Sequence, residues 1–155
     1  EQVTLVPDSV DVLTSNAGWN TKKEYKFLRD VISIFKNENI RTSIFVDPNV
    51  ESIEYAQKTN CDRIELYTEQ YANNYHANRE QTVQLYTDCS KLAKELGMKV
   101  NAGHDLNLNN IEYFSKKMPY LDEVSIGHAL ISESLYMGLD NVINLYLNKL
   151  KNGPK

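Results

Sequence analysis

Strand-like and helix-like segments alternate five times along the 155-residue chain. The strand-like segments are short, rich in Val and Ile, and end at Pro, Asp, Thr or Gly, as β-strands often do. The predicted strands are 2–7, 41–47, 62–68, 98–103 and 122–127. Apolar residues at steps of three and four indicate amphipathic helices between them. The predicted helices are 24–36, 49–59, 79–96, 108–117 and 139–151.

This alternation predicts an α/β fold with a parallel sheet and right-handed crossovers. Two architectures fit: a doubly wound open sheet, and part of a (β/α)8 TIM barrel, which usually needs ~250 residues. Five βα units are about five-eighths of such a barrel. Because the chain starts directly in a strand and without Met, we expect the earlier strands of a barrel upstream. No linker or low-complexity stretch divides the chain, which predicts a single domain over 1–155.

The formal net charge of −4 argues against a nucleic-acid-binding protein that works through a broadly basic surface. No apolar run approaches the ~20 residues that span a bilayer, so we expect no membrane partner either. Cys61 and Cys89 do not lie in a metal-binding spacing. Because the sequence shows no secretory leader, we expect both to be buried free thiols in a reducing cytoplasm.

The dipeptide Gly-His occurs twice, although the chain has only six glycines and three histidines. Gly103-His104 and Gly127-His128 both end predicted strands, and the two strands are consecutive. The carboxyl ends of parallel strands form the edge where α/β proteins bind ligands. Since neighbouring strands lie about 4.8 Å apart, we expect the two imidazoles to face one small pocket.

The glycine before each histidine can be explained by what its missing side chain allows. Without a Cβ atom, it lets the backbone approach a ligand closely and permits positive φ. After Gly127-His128 a short helical stretch precedes the last predicted helix. TIM barrels often bind phosphate at such a helix start, where backbone N–H groups are free. The sequence thus predicts one histidine in proton chemistry while nearby amides hold phosphate.

Two acidic residues lie in, or at the end of, predicted strands. Glu65 alternates with Ile64 and Leu66, so it faces the other side of its strand. In a barrel it points inward, where an unpaired carboxylate is costly, and it therefore needs a partner or a function. Asp47 is expected to cap the helix over 49–59.

Two polar segments are predicted to be loops. The sequence TSNAGWN, residues 14–20, has the small and polar residues of a mobile loop over an active site. Thr14 in this loop is expected to offer a hydroxyl hydrogen bond. His76, in the stretch NNYHANRE, is expected to be a solvated surface residue.

Five motifs follow one another in order. They are LVPDSVDVLTSNAGW, SIFVDPN, RIELYTEQYA, KVNAGHDLNLNN and EVSIGHALISESLYMGL. Together they resemble the pyridoxine 5'-phosphate synthase family of vitamin B6 biosynthesis, from its fourth strand to its last helix. The resemblance implies a (β/α)8 TIM barrel, usually octameric, of which this chain supplies strands 4–8. It also implies condensation of 1-deoxy-D-xylulose 5-phosphate with 3-amino-2-oxopropyl phosphate, which releases inorganic phosphate. The resemblance implies no metal or organic cofactor.

The resemblance also assigns roles to individual residues. By motif position His104 is the catalytic proton donor, and Glu65 is a buried acid near the reacting centre. Four residues occupy substrate- or phosphate-contact positions: Thr14, Asp105, Gly127 and His128. Position 105 is often glycine in this family. A carboxylate beside phosphate is repulsive unless it turns away, whereas a substrate contact through the backbone N–H would survive the change to Asp105.

Two other interpretations of the same residues remain open. Histidine and carboxylate side chains also bind divalent metals, so His104, His128, Glu65 and Asp47 could be ligands in a metal-dependent TIM-barrel isomerase or hydrolase. The chain could also belong to a non-catalytic α/β binding module. Metal analysis of the full-length protein and the residues upstream of Glu1 would distinguish these interpretations.

Overall fold

The computed structural model describes residues 1–8, 11 and 13–151. All five predicted strands are confirmed, each slightly shorter than expected. They are β1 (Gln2–Leu5), β2 (Arg41–Val46), β3 (Arg63–Tyr67), β4 (Lys99–Gly103) and β5 (Glu123–Ser125). The helices are α1 (Tyr25–Asn37), α2 (Val50–Lys58), α3 (Glu69–Glu95), α4 (Ile111–Lys117), α5 (His128–Met137) and α6 (Leu139–Leu150).

Helix α3 begins ten residues earlier than the predicted helix at 79. The stretch NNYHANRE, expected to be a loop, is helical and contains a kink at Asn78. Tyr71 anchors this first part because its buried ring packs against Tyr86 and Phe114. The many polar residues around Tyr71 hid that apolar anchor in the sequence. His76 is exposed on this part of α3, which confirms its predicted place at the surface.

The five strands are all parallel and lie in sequence order, β1-β2-β3-β4-β5. A doubly wound sheet reverses its strand order at a switch point, so this order does not fit the doubly wound alternative. The sheet also curls. The Gln2 side-chain nitrogen lies 3.2 Å from a Glu123 carboxylate oxygen, although β1 and β5 are the two edge strands. In a flat sheet, strands four positions apart would be separated by about 19 Å. The curled sheet is therefore consistent with part of a TIM barrel.

Alternate residues of the strands face different environments, as the pleat of a β-strand requires. One face packs against α1 to α4 and is apolar. Its buried strand residues are Ile44, Val46, Ile64, Leu66, Val100 and Ala102. The other, concave face is polar. There Arg63 is only 5% exposed, and its guanidinium donates to the Asn101 side-chain oxygen at 2.9 Å and to Glu123 at 3.1 Å.

Helix α2 does not begin as the sequence predicted. Its N-cap is Asn49, whose side-chain oxygen accepts a hydrogen bond from the Ser52 N–H at 2.8 Å. Asp47 lies two residues earlier, and its carboxylate accepts from the Gly18 N–H at 3.0 Å. The prediction that Asp47 caps this helix is therefore wrong, because its carboxylate binds the backbone of the preceding loop.

Both cysteines are free and buried, as predicted. Burial raises the pKa of the Cys61 thiol to about 11 and that of the Cys89 thiol to about 11. Both therefore act as small apolar core residues at neutral pH. Within residues 1–8, 11 and 13–151, no helix combines the length and the apolar character needed to cross a bilayer.

The assigned core predicts that a buried leucine and an exposed leucine contribute differently to the free energy of unfolding. Leu66 on β3 is fully buried against the helices, whereas Leu135 on α5 is 81% exposed. We expect Leu66→Ala to lower the free energy of unfolding by about 3 kcal/mol because it leaves a core cavity. The same change at Leu135 should stay within about 0.5 kcal/mol. Urea denaturation measures both, and equal losses would contradict the assigned core.

Candidate active site

The carboxyl ends of β4 and β5 open onto one cavity of about 420 Å³. Its lining includes His104 and Asp105 after β4, and Gly127 and His128 after β5. The two imidazole rings lie 6.4 Å apart, centre to centre, with their planes at 75°. The prediction that both histidines face one small pocket is therefore confirmed.

Both ring nitrogens of His104 have hydrogen-bond partners. Nε2 lies 2.7 Å from the Thr14 hydroxyl oxygen, and Nδ1 lies 2.8 Å from an Asp105 carboxylate oxygen. The edge of the ring also packs against Tyr67, with 5.2 Å between centroids. These contacts fix the imidazole at the mouth of the cavity. They also place Thr14, from the loop after β1, directly beside it.

The turn that carries His104 has an unusual backbone conformation. His104 has a φ of +69° and Asp105 has a φ of +50°, in the left-handed region that non-glycine residues rarely adopt. Two buried side chains hold the turn. The Thr68 hydroxyl lies 2.7 Å from the Gly103 carbonyl oxygen and also contacts that of His104, while the Asn110 amide donates to the Asp105 carbonyl at 3.1 Å. The surrounding structure thus imposes the strained turn.

Gly103 has a different role from the one that the sequence suggested. Positive φ occurs at the two residues after it, whereas the described glycines with positive φ are Gly97 and Gly138. Gly103 and Gly127 therefore do not use the positive φ that glycine permits. A Cβ atom at Gly103 would lie 2.6 Å from a Glu65 carboxylate oxygen. The same Cβ would lie 3.0 Å from the Ser125 carbonyl oxygen, so glycine is needed there because the Glu65 side chain and the Ser125 backbone occupy the space.

Glu65 lies on the concave face, opposite the apolar residues of β3, as predicted. It is 8% exposed, and one carboxylate oxygen accepts hydrogen bonds from Thr4 on β1 and Ser125 on β5, each at 3.3 Å. Burial raises the pKa of Glu65, and these two hydroxyls and nearby His104 partly oppose that rise. The partners of this buried acid are therefore hydroxyl groups on β1 and β5, each two strands away from β3.

The start of helix α5 borders the same cavity. Gly127 is its N-cap, and the Gly127 carbonyl accepts from the Ile131 N–H at 3.3 Å. The N–H groups of the first turn have no acceptor within the helix. The helix dipole adds partial positive charge at this end. Helix α5 therefore offers backbone donors suited to an anion beside His128.

The loop after β1 is tied to the sheet edge at several points. Besides the contact between Thr14 and His104, the Tyr67 hydroxyl donates to the Ser15 carbonyl at 3.3 Å. A Cβ atom at Gly18 would lie 2.2 Å from the Asp47 backbone nitrogen, so only glycine lets the loop pass this close. The loop therefore lies over the cavity edge as predicted, and its mobility stays a prediction.

In the described part of the chain, no three His, Cys, Asp or Glu side chains form a group that could hold a metal ion. Of the four residues in the metal-binding interpretation, His104 and His128 lie on the cavity and Glu65 lies beneath it. The Asp47 carboxylate instead binds the Gly18 backbone.

Comparison with known proteins connects this geometry to a family. The sequence profile described as pyridoxal phosphate biosynthesis protein PdxJ matches residues 1–152. The chain belongs to the PdxJ family. The resemblance seen in the five motifs is thereby confirmed over nearly the whole chain.

Individual relatives of this PdxJ chain support the same assignment. It is 56% identical to the pyridoxine 5'-phosphate synthase of Flavobacterium johnsoniae over 151 residues. It is 54% identical to the synthase of Cytophaga hutchinsonii and 53% identical to that of Porphyromonas gingivalis. Each match covers 97% of this chain but only 64%, 63% and 63% of the relative, respectively. The chain thus spans just under two thirds of the length of these relatives.

The sequence did not indicate which residues of this PdxJ chain hold His104 and Glu65 in place. Thr68 and Asn110 hold the His104 turn, while Thr4 and Ser125 bind Glu65. For Thr68 and Ser125 the only signal was a small polar residue at or just after a strand end. Asn110 gave no signal, because it lies in the segment expected to be a helix.

The buried carboxylate of this PdxJ chain predicts a pH-dependent stability. Because burial raises the pKa of Glu65 above the ~4.3 of an exposed glutamate, the folded state binds the proton more tightly than the unfolded state. The resulting stabilisation is complete below pH ~4.3 and is lost as the pH rises through the folded-state pKa. Glu65→Gln removes this loss, so we expect the variant to be more stable than the wild type at pH 7.

Urea denaturation of both proteins at pH 4 and pH 7 tests this prediction. The two free energies of unfolding should be close at pH 4 and should diverge at pH 7, with the variant higher. A variant that is less stable than the wild type at pH 7 would mean that the ionised carboxylate stabilises the fold.

Proposed function

We propose that the full-length protein is a pyridoxine 5'-phosphate synthase built on a (β/α)8 TIM barrel, with strands 4–8 supplied by this chain. It condenses 1-deoxy-D-xylulose 5-phosphate with 3-amino-2-oxopropyl phosphate to form pyridoxine 5'-phosphate, releasing inorganic phosphate and water. Membership of the PdxJ family and the names of the relatives support this proposal. The parallel strands in sequence order support the barrel.

The observation that carries the proposal is the shared cavity at the ends of β4 and β5. Two imidazoles and the free amides of helix α5 border the same space of about 420 Å³. Condensation of an amine with a carbonyl, followed by dehydration, needs groups that donate and accept protons. Phosphorylated substrates need an anion site, and the α5 amides supply one in a chain of net charge −4.

Each residue of the proposed site has a part in this chemistry. His104 is the proton donor: its Nε2 takes up a proton and passes it to substrate, because imidazole as a residue type exchanges protons most readily near neutral pH. Gly127, His128 and the first turn of α5 hold a phosphate group. Thr14 contacts substrate from the loop. Glu65 lies beneath the reacting centre as a buried acid whose raised pKa eases proton uptake.

The reaction itself is tested by incubating the full-length protein with both substrates. We expect pyridoxine 5'-phosphate, identified by mass spectrometry, together with an equal amount of inorganic phosphate. Either substrate alone should give no product. Absence of product from the purified, folded protein would overturn the proposed activity, and activity that depends on a tightly bound metal would favour the metal-dependent alternative.

His104 should be essential for turnover. We expect His104→Asn to reduce kcat by about 100- to 10,000-fold, since a positioned acid or base contributes that much to catalysis. Its fold and substrate binding should remain, because asparagine is polar and tolerates the left-handed backbone at this position. His76→Asn, on the exposed face of α3, is the matched control and should keep full activity. An unchanged kcat in His104→Asn would remove this residue from the mechanism.

Gly127 should matter for phosphate binding and not for folding. Among the described residues, no atom lies within 4 Å of a Cβ added at Gly127, so Gly127→Val should fold normally. We expect its larger side chain to obstruct the α5 amides and weaken binding of phosphorylated substrate about tenfold, or ~1.4 kcal/mol. Isothermal titration calorimetry measures this, and Gly127→Ala should show a smaller loss. Wild-type affinity in Gly127→Val would rule out phosphate at this helix start.

We further propose that the full-length protein self-associates in the cytoplasm, as an octamer, and binds neither nucleic acid nor membranes. Two free, buried thiols fit a reducing compartment. Large apolar side chains exposed on α6, including Leu139 and Leu147, fit a surface that is covered in an assembly. Light scattering of the full-length protein measures its oligomeric state.

A further inference from the structure

We propose that Asp105 is a positioning residue, which holds the His104 imidazole with a hydrogen on Nδ1 and leaves Nε2 to exchange a proton with substrate. The catalytic consequence rests on the proposed function, whereas the state of the ring can be tested without it. This role differs from the backbone contact to substrate that the sequence suggested for position 105.

The hydrogen-bond geometry determines which ring nitrogen carries the hydrogen. The Asp105 carboxylate oxygen lies 2.8 Å from Nδ1 of His104. An ionised carboxylate accepts hydrogen bonds and cannot donate them, so Nδ1 must be the donor. In the neutral ring Nε2 then carries the lone pair, and the Thr14 hydroxyl, 2.7 Å away, donates to it. Asp105 thereby selects one of the two neutral forms of His104.

The backbone is shaped to make this contact. Side chains of adjacent residues do not normally converge, yet consecutive left-handed conformations at His104 and Asp105 bring them together. Thr68 and Asn110, both buried, hold this turn from below. Backbone strain that the surrounding structure maintains is characteristic of functional sites.

Other titratable groups face His104 but do not bond its ring nitrogens among the described residues. Glu65 lies beneath the site and interacts with His104 through charge. His128 faces it across the cavity at 6.4 Å, and Tyr67 contacts the edge of the ring. Asp105 is therefore the acid that can fix the orientation of the ring and stabilise it when Nε2 takes up a proton.

The hydrogen bond between Asp105 and His104 also explains how a carboxylate and a phosphate group can share one cavity without strong repulsion. Asp105 lines the cavity, but its side chain is engaged by the His104 ring. The proposed phosphate site at the start of α5 lies on the side of the cavity formed by Gly127 and His128. The carboxylate can then help the histidine without occupying the anion site.

The state of the ring is tested by solid-state NMR of full-length protein labelled with ¹³C,¹⁵N-histidine. The His104 signals are assigned by their loss in His104→Asn. In the wild type we expect the neutral ring to carry its hydrogen on Nδ1. In Asp105→Gly, which keeps the left-handed backbone and removes the carboxylate, the Nε2–H form should become the major one. An unchanged Nδ1–H form in Asp105→Gly would overturn the proposal.

Kinetics supply the second measurement. We expect Asp105→Gly and Asp105→Asn to lower kcat by about 10- to 100-fold, by analogy with the loss of a residue that orients a metal-bound histidine. KM for each substrate should change by less than about threefold. An unchanged kcat, or a loss confined to KM, would overturn the positioning role. Asp88→Asn, on the surface of α3, is the matched control and should keep full activity.

Stability and activity measurements separate this role from structural damage. Because glycine accepts a φ of +50° more easily than aspartate, Asp105→Gly should be at least as stable as the wild type. A fall in kcat without a fall in stability supports positioning, whereas a matching fall in both contradicts it. Suppose the wild type forms no pyridoxine 5'-phosphate, but Asp105→Gly still shifts the His104 hydrogen from Nδ1 to Nε2. The proposed function then fails, and the role of Asp105 in holding the ring stands.

Discussion

The Glu65 carboxylate joins three strands of the curled sheet and determines what can lie above it. One of its oxygens accepts hydroxyl hydrogen bonds from Thr4 on β1 and Ser125 on β5. Hydrogen bonds from strands this far apart in order are possible only because the sheet curls. Burial of this carboxylate requires space, and Gly103 provides it by lacking a side chain. The next residue along the chain is His104, so the position of the histidine depends on this packing.

Above Glu65, the site is assembled from the segments that directly follow the strands. The left-handed turn at His104 and Asp105 follows β4, and the amide-rich start of α5 follows β5. Buried Thr68 and Asn110 keep the turn in place, and the loop after β1 reaches it through Thr14. A rigid sheet edge therefore supports a strained turn, which suits a histidine that must exchange protons in one orientation.

Much of this arrangement was predictable from local sequence. All five strands were located, because buried parallel strands are compact apolar runs with clear ends. The pairing of the two histidines also followed, since consecutive parallel strands end at one edge. The first part of α3 was missed because polar residues surround its buried apolar anchor, Tyr71. Asp47 was misplaced as a helix cap because the sequence could not show that its carboxylate binds the Gly18 backbone.

The sequence by itself determined the alternation of strands and helices, the placement of Gly103-His104 and Gly127-His128 at neighbouring strand ends, and membership of the PdxJ family. These properties depend on residue type and spacing along the chain. The tertiary structure decided the strand order, the hydroxyl partners of Glu65, the positive φ of His104 and Asp105, and the hydrogen bond between their side chains. These features required the structure because they arise from contacts between segments far apart in sequence, and because packing imposes backbone conformations that local preference disfavours.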